Sequence, residues 1–318
     1  LQLNVNYHVR GECVAEVTAD GDDWRPLTTR SGLGSATAEL PASLLPAPRL
    51  QVRLRSGAGD SYFQVNQMEL RARLSGTPPE LVQQLRRLDP ERVLAWYGLY
   101  QSRADWYRWY QQPEMLERAE AALKSGDYVG IGELHLIGGF APGWDTPVID
   151  GLLKLSAQYQ APLLVHVEFG RADYLIGLCQ RNPEARLLLA HAGAPMRPKE
   201  VRRALEACPS LWWELSARDP WRYSASLIFD EEEGELKPAW RALIVDYSDR
   251  LMLGSDPVWP VQQLDSWDRD DTGWQEIGRF WGAHERWLAQ LPTDVAEAIR
   301  YGNARRFFGR PAGDAVER

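Results

Sequence analysis

The sequence predicts an α/β fold in which a TIM-type (β/α) barrel follows a small antiparallel β-sandwich. Near Gly76 the hydrophobic pattern changes from alternation with a period of two residues to short apolar runs separated by helical segments. These runs are about four to eight residues long, which is typical of strands buried on both faces of a parallel sheet. The length of 318 residues leaves room for one barrel of roughly 250 residues and one small domain.

Residues 1–74 alternate between apolar and polar side chains and contain Gly- and Asp-rich turns. This pattern predicts an antiparallel β-sandwich with one solvated face. The region resembles in a general way the small modules appended to secreted bacterial enzymes. Its aromatic residues Trp24, Tyr62 and Phe63 either attach the protein to a carbohydrate or surface, or fill a small core, and the second role is the more common one.

Residues 77–310 alternate between strands and helices, which predicts a parallel sheet with right-handed crossovers. A Gly and two prolines near residues 74–79 mark the boundary, and residues 311–318 form a C-terminal tail. The predicted strands are residues 92–100, 130–136, 162–166, 187–191, 211–215 and 251–254. The predicted helices are residues 80–88, 114–124, 146–159, 172–180, 199–207, 283–291 and 293–300.

The predicted strands are two fewer than the eight of a closed barrel. Counted backward from the last strand, they correspond to strands three to eight. Residues 68–74 could supply strand two, and no strand one is evident. We therefore expect a barrel that is incomplete or irregular on that side.

Four of the predicted strands carry potential metal ligands at or near their ends. The run GIGELHL contains Glu133 and His135, PLLVHVE contains His166, LLLAHAG contains His191, and LMLGSD ends at Asp256. Such side chains are costly to bury without a partner. Because the C-terminal strand ends of a barrel are where catalytic groups collect, the pattern indicates convergence on a bound metal.

The ordered series of motifs resembles the amidohydrolase superfamily, and in particular its amidohydrolase-related branch of metal-dependent barrel hydrolases. Further similar segments are RVLAWYGLYQSRADW at residues 92–106, LWWELSARD at 211–219, the run at 239–256, and AIRYGNARRFFG at 298–309. The resemblance covers roughly residues 77–310. The family's first-strand His-x-His pair has no counterpart, because the five histidines lie at positions 8, 135, 166, 191 and 284.

The resemblance implies one divalent metal held by Glu133, His166 and His191, with Zn²⁺ favoured because three N and O ligands plus a water suit this ion. Asp256 would then take a proton from the attacking water and return it to the leaving group. Other interpretations remain open: a buried histidine is often satisfied by a backbone carbonyl, and Glu133 could pair with an arginine instead.

Three further residues are predicted to contact the substrate. His135 lies on the same strand face as Glu133, and it could contact the substrate or support a ligand. Arg103 and Arg218 follow strand ends, where they could clamp a carboxylate or neutralise nearby aspartates. Several tryptophans are expected in loops that cover the site, namely Trp106, Trp109, Trp144, Trp221 and Trp259. His8 and His284 are expected to be structural.

Composition excludes several classes of protein. The net charge of −8 argues against general nucleic-acid binding, and no apolar stretch approaches the roughly 20 residues of a membrane span. Three cysteines are too few for a disulfide framework, and Cys179 and Cys208 are expected to be small core residues. The sequence begins at Leu1 and not at Met, so we expect that either a leader or a longer N-terminal region has been removed. Of these, an extracytoplasmic protein with a removed leader is weakly favoured.

Two functions from different classes follow. The first is a metal-dependent hydrolase that uses an activated water on a small amide, ester or lactone, and decarboxylation of a carboxylated substrate is also open within the resemblance. The second is a non-catalytic binding protein or pseudoenzyme, whose barrel has lost the metal pair and whose sandwich attaches to glycans or a protein partner.

Overall fold

The structure, a computed structural model, describes part of each of the two regions. The described residues are 2–19, 21–41, 44, 51–57, 61–69, 79–100, 103–136, 146–167, 172–219, 228–230, 234–259 and 273–309. Contacts within the chain divide it into two units, Leu1–Leu74 and Ser75–Arg318.

The first unit contains two three-stranded antiparallel sheets, with strand orders β4-β1-β6 and β3-β2-β5. Its described strands are β1 (Gln2–Arg10), β2 (Cys13–Thr18), β3 (Arg25–Arg30), β4 (Gly34–Thr37), β5 (Gln51–Ser56) and β6 (Tyr62–Glu69). Leu3 and Val5 of β1 pack with Cys13 and Ala15 of β2 in one apolar cluster. The antiparallel β-structure predicted for this region is confirmed.

The central strand β2 departs from simple alternation, because all six of its residues are buried. Glu16 is among them, and its carboxylate accepts hydrogen bonds from Arg53 Nε at 2.7 Å and Arg55 Nε at 2.8 Å. These two arginines hold the pKa of Glu16 below its ordinary value. A buried charge is thereby satisfied by two cations from the neighbouring strand β5.

The second unit contains a six-stranded parallel sheet whose spatial order follows the chain, from β7 to β12. The strands are β7 (Trp96–Tyr97), β8 (Gly130–Leu136), β9 (Leu163–Val167), β10 (Leu187–Leu189), β11 (Trp212–Glu214) and β12 (Leu251–Met252). Sequential order with parallel pairing is the arrangement of a (β/α) barrel. The predicted α/β fold class is therefore confirmed, and this parallel sheet has six strands within the described residues.

Helices connect these strands, and most of them begin where the sequence indicates. They are α1 (Pro79–Leu88), α2 (Arg103–Arg108), α3 (Glu114–Ser125), α4 (Pro147–Tyr159), α5 (Ala172–Arg181), α6 (Pro198–Ala207), α7 (Pro238–Asp246), α8 (Ile277–Leu288), α9 (Thr293–Glu297) and α10 (Asn303–Phe307). Proline occupies the first helical turn of α4, α6 and α7, where its missing N–H has no intrahelical role. Helices α2, α7 and α10 were not predicted, and α8 begins six residues before its predicted start at residue 283.

Residues 68–74 are not barrel strand two where the structure describes them. Met68 and Glu69 belong to β6 and pair antiparallel with Leu3 and Gln2 of β1; residues 70–74 lie outside the described part. The apolar alternation of this segment therefore serves the first unit, which a single-sequence pattern could not distinguish from a barrel strand.

The expectation that Cys179 and Cys208 are unpaired core residues is wrong. They form a disulfide between α5 and the residue that follows α6, with their Cα atoms 5.9 Å apart. Both are buried, and the packing of α5 against α6 brings them together. Pairing of two cysteines 29 residues apart depends on this tertiary contact. None of the helices described here has the length and apolar character needed to cross a membrane.

Candidate metal centre

Three potential metal ligands converge towards the carboxyl ends of adjacent parallel strands. Glu133 lies in β8, His166 in β9, and His191 two residues after β10. Strand β9 pairs with both β8 and β10, and His135 lies opposite His166 in this register. One ligand atom from each of Glu133, His166 and His191 lies within 4.8 Å of the other two. The topology thus brings together the three residues that the sequence predicts as ligands.

A single carboxylate oxygen of Glu133 faces both imidazoles. Oε1 lies 2.6 Å from His166 Nδ1 and 3.0 Å from His191 Nε2. A carboxylate oxygen and a deprotonated imidazole nitrogen are both acceptors, so each contact needs a proton or a cation between its two atoms. Two imidazole nitrogens and a carboxylate oxygen are also ligands that catalytic Zn²⁺ sites use. The three residues therefore fit a divalent metal.

Electrostatic interactions within the centre favour an ionised Glu133. Burial acts to raise the pKa of Glu133, but His191 and His166 outweigh it and hold this pKa well below its ordinary value. For His191, burial acts to lower the pKa, and the Glu133 carboxylate raises it with further help from Glu214 and Asp256. The surroundings of the two imidazoles are thus negatively charged, as a cation site requires.

The backbone around His191 adopts conformations that non-glycine residues rarely occupy. The φ angle is 54° at His191 and 48° at Ala192, in the left-handed region. Such positions cost of order 1–3 kcal/mol each and persist where the surroundings hold them. Arg218 holds this segment, because its Nε donates to His191 O at 2.7 Å, and its Nη2 donates to Ala192 O at 3.0 Å and Met196 O at 3.2 Å.

Arg218, predicted as a substrate ligand, occupies a buried position. Its side chain is 2% exposed, and its guanidinium lies 4.6 Å from the ring centroid of Trp240. Desolvation lowers the pKa of Arg218 to about 9. This arrangement favours support of the segment that carries His191, and contact between Arg218 and a substrate stays a prediction.

A buried hydrogen-bond chain lies behind His191. Its Nδ1 is 2.7 Å from Ser216 Oγ, which donates to Glu214 Oε1 at 2.8 Å. Glu214 also accepts the backbone N–H groups of His191 and Ser216, both at 2.6 Å. The sequence prediction did not include Glu214 or Ser216. The available signal is an acidic residue inside the apolar run LWWELS, which requires a partner when it is buried.

His135 lies beside the converging ligands without being one of them. Its ring centroid is 4.9 Å from that of His166. Trp106 Nε1 donates to His135 Nδ1 at 3.0 Å, and the backbone N–H of His135 donates to Tyr100 Oη at 2.8 Å. Because an indole N–H only donates, His135 Nδ1 accepts and the neutral ring carries its proton on Nε2. Burial raises the pKa of Tyr100, so this phenol stays neutral.

The structure describes two other predicted site residues, Asp256 and Arg103, in less detail. Asp256 is partly buried after β12, has a φ of 40°, and raises the pKa of His191. It is not part of the three-ligand cluster found among the described residues. Arg103 begins α2, and its side chain lies outside the described part of the structure.

The predicted tryptophans do not all cover the site. Trp106 contacts His135, whereas Trp109 is buried in the core of the second unit, and Trp259 stacks with an arginine side chain at 4.4 Å. Trp144 and Trp221 lie outside the described residues.

The two histidines expected to be structural lie in local contacts. His8 Nε2 is 2.9 Å from Gly11 O in the first unit. His284 is buried, and its Nδ1 accepts a hydrogen bond from Trp287 Nε1 at 3.1 Å.

Comparison with known proteins adds a family match. A family model described as Amidohydrolase matches residues 74–310. An uncharacterized TIM-barrel protein from Bordetella bronchiseptica is 13% identical, with a TM-score of 0.46 and 73% of each chain covered. Amidohydrolase 2 from Bifidobacterium longum subsp. infantis is 17% identical, with a TM-score of 0.38 and coverage of 58% of this chain and 63% of that one. An amidohydrolase from Burkholderia multivorans with bound Zn is 19% identical, with a TM-score of 0.34 and coverage of 75% and 71%. No curated protein matches the sequence.

Proposed function

Because the chain belongs to the amidohydrolase family over residues 74–310, we propose that it is a metal-dependent hydrolase of a small amide, ester or lactone. Family membership alone indicates a hydrolytic enzyme and leaves the reaction open. The observation that carries the proposal is the convergence of Glu133, His166 and His191, whose ligand atoms lie within 4.8 Å of one another. These residues would hold one divalent ion, with Zn²⁺ favoured by the N and O ligand set.

When bound, the ion supplies a Lewis acid that polarises the scissile carbonyl and acidifies a water molecule. Glu133 contributes a negative charge, and His166 and His191 contribute nitrogen ligands. The strained backbone of His191 is held by Arg218, so its imidazole is positioned before any ligand arrives. Preorganised ligands of this kind avoid reorganisation when the substrate reacts.

Asp256 is the proposed proton acceptor. The proposal is supported by the electrostatic effect of its carboxylate, which raises the pKa of His191. It takes one proton from the attacking water and returns it to the leaving nitrogen or oxygen as the acyl bond breaks, so it ends the cycle ionised, as it began. Its left-handed backbone, with φ of 40°, is the kind of strained position that functional residues often occupy.

His135 is the proposed donor to the substrate's carbonyl oxygen. The hydrogen bond from Trp106 to its Nδ1 places the proton of the neutral ring on Nε2. A fixed neutral donor stabilises negative charge as it develops on the carbonyl oxygen. Its ring lies 4.9 Å from that of His166, which is close enough for one small substrate to contact both.

Hydrolysis is favoured over decarboxylation by the placement of Arg218. Decarboxylation of a carboxylated substrate calls for a cation that binds the carboxylate, ideally through an arginine fork. The Arg218 guanidinium is buried and donates to three backbone carbonyls. The side chain of Arg103 is the other candidate, and a panel that includes carboxylated substrates would reveal its role.

The proposal is tested by metal-dependent turnover. The purified chain is stripped with a chelator, reloaded with Zn²⁺, Mn²⁺ or Fe²⁺, and assayed on a panel of small amides, esters and lactones. We expect turnover only after reloading, and its loss in Glu133→Gln, which keeps the side chain's size and removes its charge. Glu120→Gln is a matched control, because Glu120 lies in α3 and bonds to Tyr159 and Lys124. Hydrolysis that survives metal removal would contradict the proposal.

An attachment role is a second candidate, and it concerns the first unit alone. Tyr62 is 61% exposed and Tyr7 is 49% exposed, and their rings meet edge to face at 5.9 Å. Exposed aromatic rings can stack on the apolar faces of sugars. The predicted Trp24 and Phe63 are less suited, because Arg53 covers the Trp24 ring at 4.1 Å and Phe63 packs against the core. Glycan-array binding of the full chain, lost in Tyr62→Ala, would support attachment, and unchanged binding would oppose it.

We also propose an extracytoplasmic location. The Cys179–Cys208 disulfide supports it, because disulfides persist mainly in oxidising compartments. Fractionation of the source cells with an antibody against the chain would test this location, and recovery only in the cytosol would contradict it.

A further inference from the structure

We propose that Glu214 and Ser216 are positioning residues that fix the proton of His191 on Nδ1, so that the Nε2 lone pair is presented to a divalent cation. This inference rests on the proposed function, since it names the residues that prepare one of the three ligands. It follows from the hydrogen bonds among three buried side chains on two adjacent strand ends.

The first step concerns the Ser216 hydroxyl, which has one proton to donate. Its Oγ lies 2.8 Å from Glu214 Oε1 and 2.7 Å from His191 Nδ1. The carboxylate of Glu214 only accepts, and it already receives the backbone N–H groups of His191 and Ser216. Two oxygens at 2.8 Å need a proton between them. The hydroxyl proton therefore points to Glu214.

The second step concerns the imidazole. Because the hydroxyl proton is directed to Glu214, Ser216 Oγ accepts from His191, and Nδ1 must carry a proton. In the neutral ring Nε2 is then deprotonated, and it faces Glu133 Oε1 at 3.0 Å. Contact between these two acceptors needs either a further proton or a bound cation. Partners on the remote nitrogen are how metal-binding histidines are commonly oriented.

The opposite tautomer would break the chain. With the proton on Nε2, the Ser216 hydroxyl would have to donate to Nδ1, and its oxygen would then face Glu214 Oε1 without a proton between them. Ser216 is 3% exposed, Glu214 7% and His191 4%. Water therefore has little access to relieve that repulsion, and the Nδ1–H form is the one that satisfies all three groups.

A separate observation on another strand end supports a dedicated site for the Glu214 carboxylate. Gly254, in the segment that follows β12, leaves the space that the carboxylate occupies. A Cβ at this position would collide with Glu214 Oε2 and lie 3.0 Å from Ser216 Cβ. This chain of hydrogen bonds therefore requires glycine in the run LMLGSD. Gly254→Ala should displace the Glu214 carboxylate without changing Glu214, Ser216 or His191.

The test reads the tautomer and the metal affinity separately. With only five histidines in the sequence, selective ¹⁵N-histidine labelling gives a simple NMR spectrum, and His191→Gln assigns the His191 signals. Zn²⁺ affinity of the full chain is measured by competition with a chelator. The variants are Ser216→Ala, Ser216→Thr, which retains a hydroxyl, and Gly254→Ala. Ser210→Ala is the control, because Ser210 is exposed and makes one long hydrogen bond to a backbone carbonyl.

We expect wild-type His191 to carry its proton on Nδ1 in both the metal-free neutral form and the Zn²⁺ form. Ser216→Ala and Gly254→Ala should weaken Zn²⁺ binding by about 10- to 100-fold, as loss of a ligand's supporting partner commonly does. Ser216→Thr should recover most of the affinity, and Ser210→Ala should change nothing.

Two results would overturn the inference: an Nε2–H tautomer in wild-type His191, or wild-type Zn²⁺ affinity in a folded Ser216→Ala. A merely structural role would lower the melting temperature of Ser216→Ala without changing its affinity. Failure of the proposed function is recognised differently, by a wild-type chain that binds no divalent metal. The NMR measurement of the His191 tautomer in that chain still tests the inference, because this measurement requires neither a variant nor a metal.

Discussion

Replacement of Arg218 by lysine tests whether this residue supports the metal centre or binds substrate. Lysine keeps the positive charge but replaces a planar fork of donors with one flexible ammonium. In the structure the fork donates to the carbonyls of His191, Ala192 and Met196. We expect Arg218→Lys to retain at most one of these hydrogen bonds and to leave buried carbonyls unsatisfied.

The expected loss of stability follows from those bonds. A hydrogen bond to a charged group contributes roughly 1.5–3 kcal/mol net, so the loss of two would cost about 3–6 kcal/mol. Burial already penalises this guanidinium, as its pKa of about 9 indicates, which favours the lower end. We therefore expect about 3 kcal/mol, or roughly a hundredfold shift in the unfolding equilibrium.

The metal centre should respond as well. The left-handed conformations of His191 and Ala192, with φ of 54° and 48°, persist because neighbouring groups hold them. Without the hydrogen bonds from Arg218, we expect the backbone at His191 and Ala192 to relax and His191 to move away from Glu133. We expect Zn²⁺ affinity to fall by about 10- to 100-fold, the range seen when a supporting partner of a ligand is lost.

The assay combines chemical denaturation, chelator competition and steady-state kinetics, with Arg250→Lys as the matched control. Arg250 also donates to several backbone carbonyls, those of Leu205, Cys208, Pro209 and Leu211. It lies immediately before β12, at the opposite end of the sheet from the metal centre. Arg250→Lys should therefore lose comparable stability without losing Zn²⁺ affinity.

If Arg218 instead bound the carboxylate of a substrate, the lysine variant would behave differently. Arg218→Lys would then keep its stability and its metal, and its KM would rise several-fold on a substrate that carries a carboxylate. That result would refute the supporting role and restore the role predicted from sequence.

Three further predictions concern other parts of the molecule. His166→Ala should abolish metal retention, because it removes one of three ligands. Asp256→Asn should keep the metal and lose roughly 10²–10⁴-fold in turnover. If elemental analysis showed that both variants lose the metal equally, Asp256 would be a ligand. Cys179→Ser should lower stability in denaturant by about 3–4 kcal/mol, because the disulfide closes a loop between cysteines 29 residues apart. In the chain unfolded without reductant, alkylation of all three cysteines instead of Cys13 alone would refute the bond. The depressed pKa of Glu16 gives stability that is present above the ordinary carboxyl pKa of about 4.3 and is lost as the pH falls through the lower folded value. The melting temperature of Glu16→Gln should therefore depend less on pH in that range, and an unchanged pH dependence would contradict the ion pairs.

The convergence of the three candidate ligands could be predicted from sequence, because parallel topology brings residues at the ends of neighbouring strands together. Apolar runs identify buried strands, and polar residues that share a strand end meet at one edge of the sheet. Glu133, His166 and His191 each follow this rule, and the structure places them together. The starts of α4 and α6 were predictable for a similar reason, since proline acts within the first turn of a helix.

Features that depend on tertiary contacts could not be predicted in this way. The Cys179–Cys208 disulfide requires α5 to pack against α6. Residues 68–69 pair with β1 because that strand is their neighbour in space, although their pattern is compatible with a barrel strand. The support given by Arg218 depends on a loop whose shape no local pattern encodes.

The most direct test of the account is the position of the metal. Crystals of the chain loaded with Zn²⁺ would be measured on both sides of the zinc absorption edge. The account predicts one anomalous peak about 2.0–2.2 Å from Glu133 Oε1 or Oε2 and from one nitrogen each of His166 and His191, with Nε2 as the His191 ligand. A peak elsewhere, or none at this centre at full zinc loading, would contradict it.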